Sequence, residues 1–183
     1  FDGTKAAPYV EDDAPTPINV YGRSKLEGER QVAAKAGGAR WYVLRTSWLY
    51  GRSSGNSPNF IRTMLRLAGE RDSLRVVADQ HGTPTSAAWL ADVIAALLAD
   101  ASRVPQGVYN AVPSGATTWH GLATLAIEEA RRQGLALQLK PGAIEAITTD
   151  QYPTPARRPA NSRLDNARLS ALLGPALFRD WQR

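Results

Sequence analysis

The 183-residue chain contains no cysteine, which excludes a disulfide framework, a zinc–cysteine site and a thiol nucleophile. It has only two histidines, His81 and His120, in unrelated contexts. That is too few for a multi-histidine metal site, and no Ser-His-Asp pattern accompanies them. No apolar run approaches the roughly 20 residues of a membrane helix, and no signal-peptide pattern is present, so a soluble, cytoplasmic protein is expected. Neither a P-loop nor a Gly-x-Gly-x-x-Gly phosphate loop occurs. Internal repeats and low-complexity tracts are absent as well. Concentrated charge is also lacking: 22 Lys and Arg outweigh 17 acids for a net +5, yet the densest basic spots are the pairs Arg131-Arg132 and Arg157-Arg158. A nucleic-acid binder gathers its charge in a stripe or tail, so a nucleic-acid partner is not expected. A mildly basic surface instead suits anionic small molecules.

What is present is globular: 43% of residues are hydrophobic and 21% charged, enough apolar content over this length for a core without staples. Residues 1–17 read as a loop. Asn19 precedes a helical stretch over 20–36, closed by Gly37-Gly38. Trp41 to Leu44 is a continuous apolar run, the pattern of a strand covered on both faces. A Gly/Ser/Asn loop follows over 51–58, then a helix over 59–71 and a short strand over 74–78. A turn-rich segment over 79–84 leads to a strong helix over 86–101, and a strand over 107–112 follows. Thr117 or Thr118 can cap a helix running to Gln133, where Gly134 closes it. Leu135 to Lys140 reads as a strand. Three prolines make 150–163 irregular, and Asp165 caps a last short helix stopped by Gly174-Pro175. Alternating strands and helices predict an α/β architecture.

Four segments could carry chemistry. In Tyr21-Gly22-Arg23-Ser24-Lys25 the spacing puts Tyr21 and Lys25 on one helix face, one turn apart. An ammonium beside a phenol favours the phenolate, and such a tyrosine serves as a general acid or base. Chance also produces Tyr and Lys four apart, so the pair alone does not assign a role. Arg45-Thr46-Ser47-Trp48-Leu49-Tyr50 closes the buried strand, and ligands of open α/β sheets sit outside the carboxyl ends of strands. Trp48 there reads equally as packing or as ligand contact. Asp79 to Thr85 is a polar loop that could be functional or a plain Gly/Pro turn. Tyr152 to Ser162 combines a proline-stiffened backbone with Arg157 and Arg158, suited to phosphate or simply a rigid connector.

Taken in order along the chain, these blocks resemble the extended short-chain dehydrogenase/reductase family, and within it the branch that reduces nucleotide-linked 4-keto-6-deoxy sugars. The carrying residues are Phe1-Asp2-Gly3, the Tyr21–Lys25 helix with its preceding Pro17-Ile18-Asn19-Val20, and Arg45 to Tyr50. Asn59-Phe60, Asp79-Gln80 with Gly82-Thr83-Pro84-Thr85, and Thr117 to His120 follow. Tyr152-Pro153-Thr154-Pro155-Ala156, Arg158-Pro159 and Asn161-Ser162 complete the series. Tyr-x-x-x-Lys belongs to the whole superfamily; the Arg-Thr-Ser-Trp, Asp-Gln-x-Gly-x-Pro-Thr and Tyr-Pro-Thr-Pro-Ala blocks are specific to the branch. The family's glycine-rich phosphate loop and its catalytic Ser/Thr have no counterpart here, so the chain is expected to be a C-terminal portion, inactive on its own.

The resemblance implies a partial NAD(P)-binding Rossmann fold, its second half, plus a small C-terminal substrate-binding domain. Residues 1–50 and 87–112 would belong to the former, and 51–86 and 113–183 to the latter. The implied reaction is hydride transfer from NADPH (or NADH) to the C4 ketone of dTDP-4-dehydro-6-deoxy-L-mannose, giving dTDP-L-rhamnose. Tyr21 would protonate the developing alkoxide, and Lys25 would assist it and hold the nicotinamide ribose. Trp48 would pack on the sugar, Asn59 would also contact substrate, and Arg158 would meet the pyrophosphate with Gln80 and Asn161 in support. Family members can need Mg²⁺, but no ligand set in the sequence defines a site. A homodimer is compatible with the resemblance, and no membrane partner is implied. Two rival readings share the fold: a nucleotide-sugar epimerase or dehydratase, and a non-catalytic reductase-like subunit that binds methionine adenosyltransferase.

Overall fold

The structure, a computed structural model, describes residues 1–51 and 59–183. The loop expected over 51–58 lies, beyond Gly51, outside the described residues. In chain order the elements are α1 (Val20–Lys35), β1 (Tyr42–Arg45), β2 (Leu49–Tyr50), α2 (Phe60–Glu70), β3 (Leu74–Val77), β4 (His81–Gly82), β5 (Thr85–Ser86), α3 (Ala87–Ala99), β6 (Gly107–Asn110), β7 (Thr117–Thr118), α4 (Trp119–Arg132), β8 (Ile144–Ile147) and α5 (Ala167–Leu173). They form two compact units. The first comprises Phe1–Gly51, Gly82–Ala116 and Ala156–Arg183; the second comprises Arg52–His81, described from residue 59, and Thr117–Pro155.

In the first unit β1 and β6 pair in parallel, Tyr42 opposite Gly107 through Arg45 opposite Asn110. β2 and β5 pair in parallel as well, with Leu49 opposite Thr85. Parallel pairing needs covered faces, and one is supplied by a core of Val93, Leu97, Val104, Tyr109, Ala111, Leu169 and Phe178. Trp89 on α3 locks the C-terminal segment to it. Its ring meets Phe178 edge-on at 5.6 Å, and its Nε1 donates to the Leu177 carbonyl at 2.8 Å. Packing thus groups 156–183 with the first unit, whereas the functional division expected from sequence assigns that segment to the substrate side.

The second unit pairs β3 with β8 in parallel, Leu74 opposite Ile144 through Val77 opposite Ile147. Ala68, Leu74, Val76, Ala123, Ile127 and Leu139 form its core. Phe60 at the start of α2 meets Trp119 at the start of α4, ring centroids 4.6 Å apart. The strand expected over Leu135–Lys140 does not form; the strand is β8, four residues later. The backbone of 135–140 is spent elsewhere. Leu135 N donates to Ala130 O at the end of α4, Leu139 N to Ala68 O and Lys140 N to Asp72 O, so no ladder is available. A turn at Pro141-Gly142, with Gly142 at φ +72°, then aims the chain along β3.

Candidate active site

The N-terminus of α1 presents the Tyr21–Lys25 pair. Asn19 is its N-cap: Gly22 N donates to Asn19 Oδ1 at 2.8 Å, satisfying one of the helix's open amides. The same side chain reaches outward, Nδ2 donating to the Arg157 carbonyl at 3.0 Å. The cap therefore ties the Arg157-Arg158 segment to the helix start. Gly22 is required by the close approach of Pro17, whose Cβ would lie 2.8 Å from any Cβ added there. Beyond that start, Tyr21 is 70% exposed and Lys25 is exposed too. The Lys25 ammonium lies 5.3 Å from the Tyr21 ring centroid, as the four-residue spacing predicts.

α1 is held to β1 by an ion pair. Arg45 Nε and Nη2 donate to the two carboxylate oxygens of Glu29 at 3.0 and 2.7 Å, a bidentate fork. Both side chains are largely shielded, 14% and 20% exposed. Arg45 Nη1 also donates to the Glu11 carbonyl at 3.3 Å, and its guanidinium lies 5.3 Å from the Phe1 ring centroid. Sequence reasoning gave neither Arg45 nor Glu29 a role of its own. A signal existed: an arginine flanked by an apolar run needs a buried acid.

Trp48 follows β1 with φ +45°, a left-handed backbone that a bulky residue rarely adopts. The chain on either side is pinned: Thr85 N donates to Trp48 O at 3.2 Å, and Thr83 N to Ser47 Oγ at 3.4 Å. Its indole rests on Gly82, where an added Cβ would stand 2.4 Å from Trp48 Cε2. Gly82 thus serves as the seat of the indole rather than as a mere turn glycine.

Arg158 is exposed on the segment that Asn19 tethers. Asn161 is 6% exposed and fully engaged by the protein. Its Nδ2 donates to Lys5 O and Ala7 O at 2.7 and 2.9 Å, while Oδ1 accepts from Arg163 N and Nε at 3.0 and 2.9 Å.

Asn59 and Gln80 belong to the second unit. Asn59 caps α2, its Oδ1 accepting from Arg62 N at 2.9 Å. Gln80 bridges two neighbours, donating to Thr149 Oγ1 at 3.1 Å and accepting from Trp119 Nε1 at 3.2 Å. Asp79 beside it receives Thr149 N at 3.0 and 2.9 Å and Thr149 Oγ1 at 2.7 Å. Desolvation pushes the Asp79 carboxyl up, but the hydrogen bonds from the Thr149 amide and hydroxyl, with its own amide and His81, outweigh it and hold the group below the usual carboxylate range. Asp79 and Gln80 therefore anchor the turn that leads into Tyr152-Pro153. Among the described residues no group of three or more His, Asp or Glu could hold a metal ion, and no helix is long and apolar enough to cross a membrane.

Comparison with known proteins gives a consistent result. The model of the RmlD substrate binding domain family matches residues 1–183. A dTDP-4-dehydrorhamnose reductase of Shigella flexneri is 46% identical over the whole chain, which covers 59% of that protein. One of Burkholderia thailandensis is 44% identical, with 61% of its length covered. The chain thus spans about 60% of the length of these curated relatives. Among solved structures, a dTDP-4-dehydrorhamnose reductase of Clostridium acetobutylicum superposes with TM-score 0.82 at 35% identity, and one of Bacillus anthracis in complex with NADP with TM-score 0.83 at 31% identity. Each match covers all of this chain and 59% of the other. A UDP-galactose 4-epimerase, 17% identical with TM-score 0.70, shares the fold.

Proposed function

The chain belongs to the RmlD substrate binding domain family, and from that premise we propose that it supplies the proton-delivering and sugar-nucleotide-binding part of a reductase acting on dTDP-4-dehydro-6-deoxy-L-mannose to give dTDP-L-rhamnose. The observation that carries this reading is the exposed Tyr21–Lys25 pair, ammonium 5.3 Å from the phenol ring, at the capped start of α1. The cofactor we infer is NADPH, in line with the NADP held by the Bacillus anthracis relative. Tyr21 and Lys25 fit its nicotinamide ribose end: a phenol and an ammonium on one exposed helix face offer hydrogen bonds to ribose hydroxyls. When bound, the dihydronicotinamide supplies the hydride that adds to C4.

Tyr21 then donates its phenolic proton to the C4 oxygen, so the ketone becomes a secondary alcohol. The phenolate left behind is stabilised by Lys25 and regains its proton from solvent. Trp48, held by its left-handed backbone and by Gly82, offers an aromatic face to the sugar. Arg158 meets the pyrophosphate with a guanidinium fork. Asn161 and Gln80, with their amides engaged inside the protein, support the binding segments as positioning residues, and Asn59 acts from the cap of α2. We assign the cofactor side to residues 1–50 and 87–112 and the substrate side to 51–86 and 113–183, the Asn19–Arg157 bond linking the final segment to α1.

The test is NADPH oxidation, followed by absorbance, with dTDP-4-dehydro-6-deoxy-L-mannose and the natural polypeptide. Tyr21→Phe is expected to lower turnover by about 10²–10⁴ while leaving thermal stability unchanged, because the side chain is exposed. A folded protein that binds NADPH but reduces no sugar nucleotide refutes the reading.

A further inference from the structure

The Lys25 ammonium has a choice of partners. On a helix a side chain meets those three and four residues away, which for Lys25 are Tyr21, Gly22, Gly28 and Glu29. Two of these are glycines, so the contest is between a phenol one turn back and a carboxylate one turn on. A lysine and a glutamate four apart ordinarily attract each other. Here the ammonium lies instead over the Tyr21 ring, and among the described residues it meets no carboxylate within 4.0 Å.

The reason is on β1. Arg45 occupies both oxygens of Glu29 in the bidentate fork, shielded from solvent at 14% and 20% exposure. A planar guanidinium matches a carboxylate in a way an ammonium cannot, so Arg45 wins the competition. Viewed from Glu29, the positions three and four away on α1 are Lys25, Leu26, Val32 and Ala33. Lys25 is therefore the one cation on the helix that Glu29 can turn to if Arg45 is removed.

We propose that Arg45 is a positioning residue: by sequestering Glu29 it keeps the Lys25 ammonium committed to Tyr21. The importance of that commitment rests on the reading of Tyr21 and Lys25 as the proton-delivery pair. The contest itself is independent of turnover, so it is tested separately. Arg45 does more than fasten α1 to β1, and its loss is repaired by a second loss, that of the Glu29 charge.

The probe is acetylation of lysine amines with an N-hydroxysuccinimide ester, read peptide by peptide by mass spectrometry. The exposed Lys35, on the same helix, serves as internal reference. In Arg45→Met the released Glu29 captures Lys25, and the Lys25:Lys35 labelling ratio falls about 1.5- to 2-fold, the scale of an i,i+4 ion pair. In Arg45→Met/Glu29→Gln the ratio returns to the parent value. Glu29→Gln alone leaves it unchanged, because Glu29 does not act on Lys25 in the parent. A fastening role alone predicts the opposite sign, since a loosened helix labels faster and the double variant is no better than the single one. An unchanged or raised ratio in Arg45→Met overturns the proposal. If that variant does not fold, a changed ratio in Glu29→Gln overturns it, and an unchanged one together with a lowered ratio in Arg45→Lys supports it. In the NADPH assay kcat follows the labelling ratio, falling in Arg45→Met and recovering in the double variant. Labelling as described with no turnover in the parent protein rejects the reductase reading and leaves the Arg45–Glu29 contest standing.

Discussion

Replacing Gly82 by alanine tests the seat of the Trp48 indole. The added methyl would stand 2.4 Å from Trp48 Cε2, 2.7 Å from Nε1 and 2.8 Å from Cδ2. Relaxed carbon contacts lie at about 3.5–4.0 Å, so the ring has to retreat by roughly 1 Å. It cannot do so by a simple rotation, because the methyl presses on the body of the indole and the backbone behind it is fixed. Trp48 sits at φ +45°, with its carbonyl held by Thr85 N and its neighbour Ser47 held by Thr83 N. Overpacking of this kind costs about 1–3 kcal/mol. Gly28 on α1 is the matched control: a Cβ there meets nothing within 4 Å. Alanine in that exposed helix interior gains about 0.5–1 kcal/mol by lowering the entropy of the unfolded chain. Equilibrium urea unfolding of the two variants should therefore move their midpoints in opposite directions, and near-ultraviolet circular dichroism should report a reoriented indole in Gly82→Ala alone. A Gly82→Ala midpoint equal to the parent's, with Gly28→Ala stabilised, would refute the packing argument.

Three further outcomes are expected. Asn161→Ala strands two carbonyls and the Arg163 donors that the amide now satisfies, and should lower stability by about 1–3 kcal/mol in urea unfolding. Asp79 titrates below its ordinary range when folded, so its contribution is complete above the unfolded value near 3.9 and is lost as pH falls through the folded value. Thermal melts of parent and Asp79→Asn should accordingly diverge at neutral pH and converge in acid; parallel curves would reject the Thr149 anchoring. Asn19→Ala removes the α1 cap at a cost of about 1 kcal/mol. It should also raise hydrogen exchange in the Arg157 segment, an effect that a cap acting on the helix alone would not produce.

Local grammar made much of this protein legible in its sequence. Asn19 and Thr118 cap α1 and α4 as their residue types predict, and the helix period places Lys25 one turn from Tyr21. The apolar run after Trp41 is β1. The motif blocks marked the family that the matching model covers from end to end. All of these depend on residues within a turn or so of one another, or on strings read in order, and neither needs the chain to be folded.

The tertiary structure decided what depends on distant partners. Alternating leucines over 135–139 resemble a strand, yet their backbone bonds to the ends of α2 and α4, and the weakly patterned Ile144–Ile147 pairs with β3 instead. Gln80 and Asn161 look like ligand amides in sequence, but Gln80 is engaged by Thr149 and Trp119, 69 and 39 positions away. The Asn161 NH₂ is engaged by Lys5 and Ala7, 156 and 154 positions away, with only the Asn161 oxygen held locally by Arg163. The position of Arg45 beside an apolar run signals that it needs an acid, but that the acid is Glu29, 16 positions away, is decided only when β1 and α1 pack together. A side chain's type determines which bonds it can make; which of them it does make depends on the groups that folding brings beside it, and in a close-packed interior that selection is made across the whole chain.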